Sequence, residues 1–107
     1  MSGLGDMGNL LKQAQEMQRQ VDRVRAELRA RLVTGSSSAG EVRVEMSADR
    51  NEVSSVHVSP ELLEGASAEE IGQRIQSAVA DALRRAQEVE REEIGRVTGG
   101  MQLPGLF

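Results

Sequence analysis

The sequence predicts an α+β fold: a long N-terminal helix, a three-stranded antiparallel meander and a long C-terminal helix. Two observations carry this expectation. Apolar residues recur at helical spacing in the first and last thirds of the 107-residue chain. Between them the period drops to two, and the alternating stretches are separated by turn-forming residues.

Met7, Leu10, Ala14, Met17, Val21, Val24 and Leu28 follow one another at alternating intervals of three and four residues. That is a heptad seam sustained for three repeats. Asp6 stands where an N-cap would, and few helix breakers follow before Gly35. The spacing predicts a helix over 6–31, roughly 35–40 Å long at about 1.5 Å per residue. A seam of this period asks for a partner helix, from the same chain or a second copy.

Val42, Val44 and Met46 alternate with Arg43 and Glu45, and Val56 and Val58 flank His57 in the same way. The run Thr34-Gly35-Ser36-Ser37-Ser38-Ala39-Gly40 and the run Ala48-Asp49-Arg50-Asn51 carry turn chemistry. Strands are expected near 31–36, 41–47 and 52–58, so that 32–58 forms an antiparallel sheet. Pro60 closes the last strand because it has no ladder donor.

Ser67-Ala68-Glu69-Glu70 reads as a capping box. Behind it Ile71, Ile75, Ala78, Val79, Ala82, Ala86 and Val89 share one face of a second helix, expected over 67–96. Gly72 weakens its first turn by about 1 kcal/mol relative to Ala. Gly99-Gly100 stops the helix, leaving 97–107 as a flexible, apolar tail. The whole of 1–107 is read as a single domain. Two helices this long overhang so small a sheet and leave seam residues in water. A homodimer, intertwined or side by side, removes that exposure.

Composition narrows the function. The chain has no Cys, Trp or Tyr, and its one Phe is Phe107. Disulfides, thiolate metal sites and cysteine nucleophiles are therefore excluded, as are aromatic platforms for stacking single-stranded bases. No apolar run approaches the length of a membrane span. The first residues lack a basic stretch and an apolar core, so no signal peptide is expected and the default location is the cytoplasm. The net charge is −4, but it is uneven. Residues 1–34 carry six basic against four acidic side chains, a local +2, whereas the two later segments are net acidic. Counterion release depends on local phosphate contacts, so a net-acidic chain can still present a basic face.

Motifs with chemical overtones resolve into structural ones. Gly3-Leu4-Gly5-Asp6-Met7-Gly8 matches the dinucleotide-binding G-x-G-x-x-G but lacks the strand before it, and reads as a glycine-rich lead-in. Gly35 to Gly40 has Walker A spacing, but Glu41 replaces the lysine and a strand follows. His57, the only histidine, lies on the less buried sheet face near Ser55 and Ser59, a spacing that builds no catalytic triad. The carboxylates Glu88, Glu90, Glu92 and Glu93 share their helix with arginines, and pairs such as Glu92–Arg96 and Arg84–Glu88 read as a solvated face. No cofactor, metal, membrane or small-molecule substrate is called for.

The basic stripe is the informative feature. On the first helix Lys12, Arg19 and Arg23 lie opposite the seam, while Arg25 and Arg29 flank it. On the second, Arg84 and Arg91 are seven residues apart and also point away from the apolar face. Two readings are open for these cations: solubilising the outer faces of paired helices, or contacting phosphates along a duplex.

The residues Gly8-Asn9-Leu10-Leu11-Lys12-Gln13-Ala14-Gln15-Glu16-Met17-Gln18 resemble the N-terminal signature of the YbaB/EbfC family of bacterial nucleoid-associated proteins. Val33-Thr34-Gly35, Ala39-Gly40 and Ser59-Pro60-Glu61-Leu62-Leu63-Glu64 are similar to the family's middle. Asp81-Ala82 with Arg84-Arg85, and Gly100-Met101-Gln102-Leu103-Pro104, are similar to its end. The resemblance implies a dimeric binder of duplex DNA with protruding helices likened to tweezers, weak sequence preference, and roles in nucleoid organisation and gene regulation. By position it implies DNA contacts from Lys12, Arg23, Arg84, Arg85 and Arg91, to which the helical projection adds Arg19. The chain departs from the family pattern at Glu93, where a basic residue can occur, and in its tail soon after Pro104. The resulting expectation is a homodimeric, non-enzymatic protein of the nucleoid that holds double-stranded DNA mainly by phosphate contacts. The alternative is a coiled-coil protein-interaction module that docks through the tail Met101–Phe107.

Overall fold

The N-terminal 29-residue helix α1 (Ser2–Ala30) leads into the sheet in the computed structural model, which describes residues 2–99. It starts ahead of Asp6, the expected cap, and takes Gly3, Gly5 and Gly8 into the helix rather than leaving them as a lead-in. Glycine costs a helix about 1 kcal/mol relative to Ala, but it keeps the N–H donor and so does not by itself break the ladder.

Three strands follow as an antiparallel meander: β1 (Leu32–Ser36), β2 (Val42–Ser47) and β3 (Val53–Val58), in the spatial order β1-β2-β3. Val33 pairs with Met46, Gly35 with Val44, Val42 with Val58 and Val44 with Val56. Alternation therefore collects these residues on one face of the sheet. A register shift at Glu45/Met46 brings Val53 opposite Met46 and onto the same face. The β1–β2 turn is closed by the Gly40 N–H donating to the Ser37 carbonyl at 2.9 Å.

A short helix, α2 (Pro60–Gly65), was not foreseen. Its signal is present in Ser59-Pro60-Glu61, which places proline in the first turn and an acid beside the free N–H groups. The long helix α3 (Ala68–Thr98) starts as the capping box requires, with the Ser67 hydroxyl accepting the Glu70 N–H at 3.2 Å. It runs two residues past the expected end and stops at Gly99, whose φ of 64° is the left-handed conformation that closes many helices. Residues 100–107, and with them most of the expected tail, lie outside the described residues.

The core is built on small side chains. Ala78, Ala82 and Ala86 are fully buried along one line of α3, against Val42, Val44 and Met46 of β2 and against β1. Val24 and Leu28 of α1 complete it. Helix α3 packs mainly on β1 and β2. Val53 and Val56 are therefore 56% and 52% exposed, although they share a face with buried neighbours. Only Val58, at the far end of β3, is partly buried against the core.

The heptad seam is likewise split. Val21, Val24 and Leu28 are buried, whereas Met7 and Leu10 are 61% and 63% exposed on the half of α1 that overhangs the body. The molecule measures 77 × 20 × 16 Å with a radius of gyration of 20.1 Å. A compact chain of this length would have about 13 Å. A single copy leaves both apolar strips in water.

Candidate nucleic-acid interface

Successive residues on a helix turn by about 100°, which sets Lys12, Arg19 and Arg23 along the side of α1 that faces away from Val21, Val24 and Leu28. All three are exposed. Among the described residues none of them forms a salt bridge. The Asp22 carboxylate in their midst is instead taken by the Gln18 side-chain amide at 3.1 Å. Arg25 and, on α3, Arg91 are also exposed and form no salt bridge.

Arg84 and Arg85 differ from the stripe. Both are held by one carboxylate, Asp81, three and four residues earlier on α3. Asp81 Oδ2 accepts the Ser36 backbone N–H at 2.9 Å and the Arg85 Nε–H at 3.0 Å, while Oδ1 accepts from Arg84. The Ser36 N–H above all holds the Asp81 carboxyl below the ordinary carboxylate range; burial opposes this, and the two arginines add to the lowering. The expected Arg84–Glu88 pair is replaced by Arg84–Asp81, and Glu92–Arg96 by Glu93–Arg96 at 3.2 Å. A three-residue helical step is as close as a four-residue one, and Asp81 is already fixed in place by β1.

Five other arginines clamp the body. Arg31 and Arg96 share Glu93, at 3.6 and 3.2 Å. Arg50 reaches Glu90 at 3.4 Å, Arg74 reaches Glu41 at 3.3 Å, and Arg29 stands 4.0 Å from Asp49. The acidic run on α3 thus divides. Glu90 and Glu93 bind arginines, and Glu88 and Glu92 line a shallow groove with Val33, Thr34, Arg85 and Val89. Exposed pairs of this kind are worth about 0–1 kcal/mol each, so their main effect is to remove cations from outside contacts.

One free cation escaped the sequence reading. Arg43 is exposed on the outer face of the sheet, directly across from His57, and forms no salt bridge among the described residues. Strand alternation could have found it, since its neighbours Val42 and Val44 face inward. Of the two hydroxyls noted near His57, that of Ser59 donates to Glu61.

Comparison with known proteins agrees with this architecture. A chain described as a nucleoid-associated protein in Alkaliphilus metalliredigens is 37% identical over 107 residues, covering all of this chain and 93% of that one. Another so described, in Pelotomaculum thermopropionicum, is 38% identical over 103 residues, covering 96% of this chain and 97% of that one. The crystal structure of an uncharacterized protein from Helicobacter pylori superimposes with a TM-score of 0.67 at 20% identity, over 87% of this chain and 94% of that one, which speaks to the fold. The sequence profile of the YbaB/EbfC DNA-binding family matches residues 3–101. With its long helices, its three-stranded meander and this match along nearly its full length, the chain belongs to the YbaB/EbfC DNA-binding family.

Proposed function

We propose that the protein binds double-stranded DNA as a homodimer, mainly through phosphate contacts, and so organises the nucleoid in the cytoplasm without catalysing a reaction. The observation that carries this reading is the line of exposed cations Lys12, Arg19 and Arg23, without a salt bridge among the described residues, on the free side of an overhanging helix. From Lys12 to Arg23 the helix rises roughly 16 Å at about 1.5 Å per residue, which spans about five base steps of a duplex strand. Guanidinium forks match phosphate oxygens, and each neutralised phosphate releases counterions. Arg91 extends the candidate surface onto α3, and Arg84 and Arg85 belong to it through the nitrogens that Asp81 leaves free. With phosphate contacts dominant, sequence preference is weak.

Dimerisation is supported by the two apolar strips that one copy leaves in water, Val53 and Val56 on β3 and Met7 and Leu10 on α1. Burying such side chains contributes about 25 cal/mol per Å² removed from water. Light scattering reports the assembly, and titration of a fluorescent duplex over a salt series reports the binding. A dimer whose affinity falls steeply with salt supports the reading; a monomer, or binding indifferent to salt, overturns it.

A further inference from the structure

Asp81 occupies an unusual position for an acid beside a phosphate-binding surface. Its side chain is 12% exposed and faces the guanidiniums of Arg84 and Arg85, whose side chains are 66% and 57% exposed. It is not free to swing away, because the 2.9 Å bond from the Ser36 N–H ties it to the end of β1. That end is itself pressed against α3 at Gly35, whose missing side chain lets the backbone meet Ala78 and Ala82. The carboxylate is therefore a fixed anion placed by the fold, while the arginines it holds have exposed side chains.

A DNA phosphate approaching Arg84 or Arg85 meets a pair of cations whose nearest anion is already in contact. We infer that Asp81 restrains DNA binding, acting as a built-in competitor for phosphate at Arg84 and Arg85 that lowers the affinity of the α3 surface. The inference rests on the DNA-binding reading above. Its physical basis is charge: the trio carries +1 rather than +2, and the one acid in it accepts from both guanidiniums. Among the described residues no carboxylate forms a salt bridge with the α1 stripe. The two helices then contribute unequally, with Lys12, Arg19 and Arg23 engaging fully and the Asp81-held pair more weakly, through the nitrogens its ion pairs leave free.

The substitution Asp81→Asn tests this, because an amide oxygen still accepts the Ser36 N–H while the negative charge is gone. Duplex affinity is expected to rise roughly fivefold per released site at low salt, the scale of one exposed ion pair. The slope of log affinity against log salt should steepen by about 0.9 for each phosphate newly contacted. The gain should vanish in Asp81→Asn/Arg84→Gln/Arg85→Gln. Unchanged or weaker binding by a folded Asp81→Asn protein overturns the inference. Should Asp81→Asn fail to fold, Arg84→Gln/Arg85→Gln in the otherwise native chain decides the matter, since it leaves the Ser36 contact in place. A smaller loss than that of Arg19→Gln/Arg23→Gln supports restraint, and an equal or larger loss overturns it. Absence of any salt-dependent binding by the unaltered protein instead sinks the DNA-binding reading itself.

Discussion

Gly35 and Ala82 meet backbone to backbone: a Cβ built on Gly35 would stand 2.1 Å from the Ala82 nitrogen, with the Ala78 carbonyl oxygen 2.5 Å away. The contact seats β1 on α3 and lets Ser36, the next residue, reach Asp81. Side chains of ordinary size on either element would separate them.

Gly35→Ala is therefore expected to cost about 3 kcal/mol or more, the upper range for overpacking, because backbone atoms stand in the way. Gly40→Ala is the contrasting case. Its φ of 77° disfavours a side chain, but nothing lies within 4 Å of the added Cβ, so about 1 kcal/mol is expected. Urea unfolding of the two variants checks the ranking.

Acid should unfold the protein through a small set of carboxylates. The Ser36 N–H above all lowers the pKa of Asp81, the Ser47 hydroxyl that of Asp49, the Ser59 hydroxyl that of Glu61, and its own backbone N–H that of Glu41. Each is more readily ionised folded than unfolded, where carboxyl groups titrate near pH 4. The stability they contribute is complete above that value and is lost as pH falls through the lower folded values. The urea midpoint should hold steady from about pH 7 to pH 5 and decline below about pH 4. The decline should be shallower in Asp81→Asn.

Val56 sits on the uncovered strip of β3, so Val56→Lys should disperse the proposed dimer while leaving each copy folded. A charge placed there meets water in a single chain but is desolvated against a partner. Light scattering at matched concentration should show the mass halved, with the far-ultraviolet circular dichroism retained.

Arg19→Ala/Arg23→Ala should weaken duplex binding uniformly across sequences and reduce the salt slope by about 0.9 per lost phosphate contact. Thermal stability should change little, within about 0.5 kcal/mol per site, since neither side chain has a partner among the described residues. Anisotropy titrations on two unrelated duplexes separate this from loss of sequence reading.

Much of this architecture is legible residue by residue. The 3-4 spacing from Met7 to Leu28, the alternation around Val42 and Val56, the Ser67 cap and the Gly99 stop each act within a few residues of chain. Helix α2 was hidden because Pro60 reads first as the end of a strand, and the same proline also serves as the start of a helix. The helical course of Gly3 to Gly8 was hidden because glycine weakens a helix without breaking it.

The candidate interface divides along the same line. Periodicity alone placed Lys12, Arg19 and Arg23 on one side of a helix, because the 3.6-residue turn is a local property of the backbone. Which cations remain available was decided only by folding. Arg50 finds Glu90 forty residues away and Arg74 finds Glu41 at a separation of thirty-three, pairings that no local rule anticipates. The same holds for the open side of β3: alternation says that Val56 faces with the core, whereas only the register shift against β2 brings Val53 beside it, and only the position of α3 leaves both in water. Local pattern sets which way a side chain points, but packing between distant segments sets what it meets there.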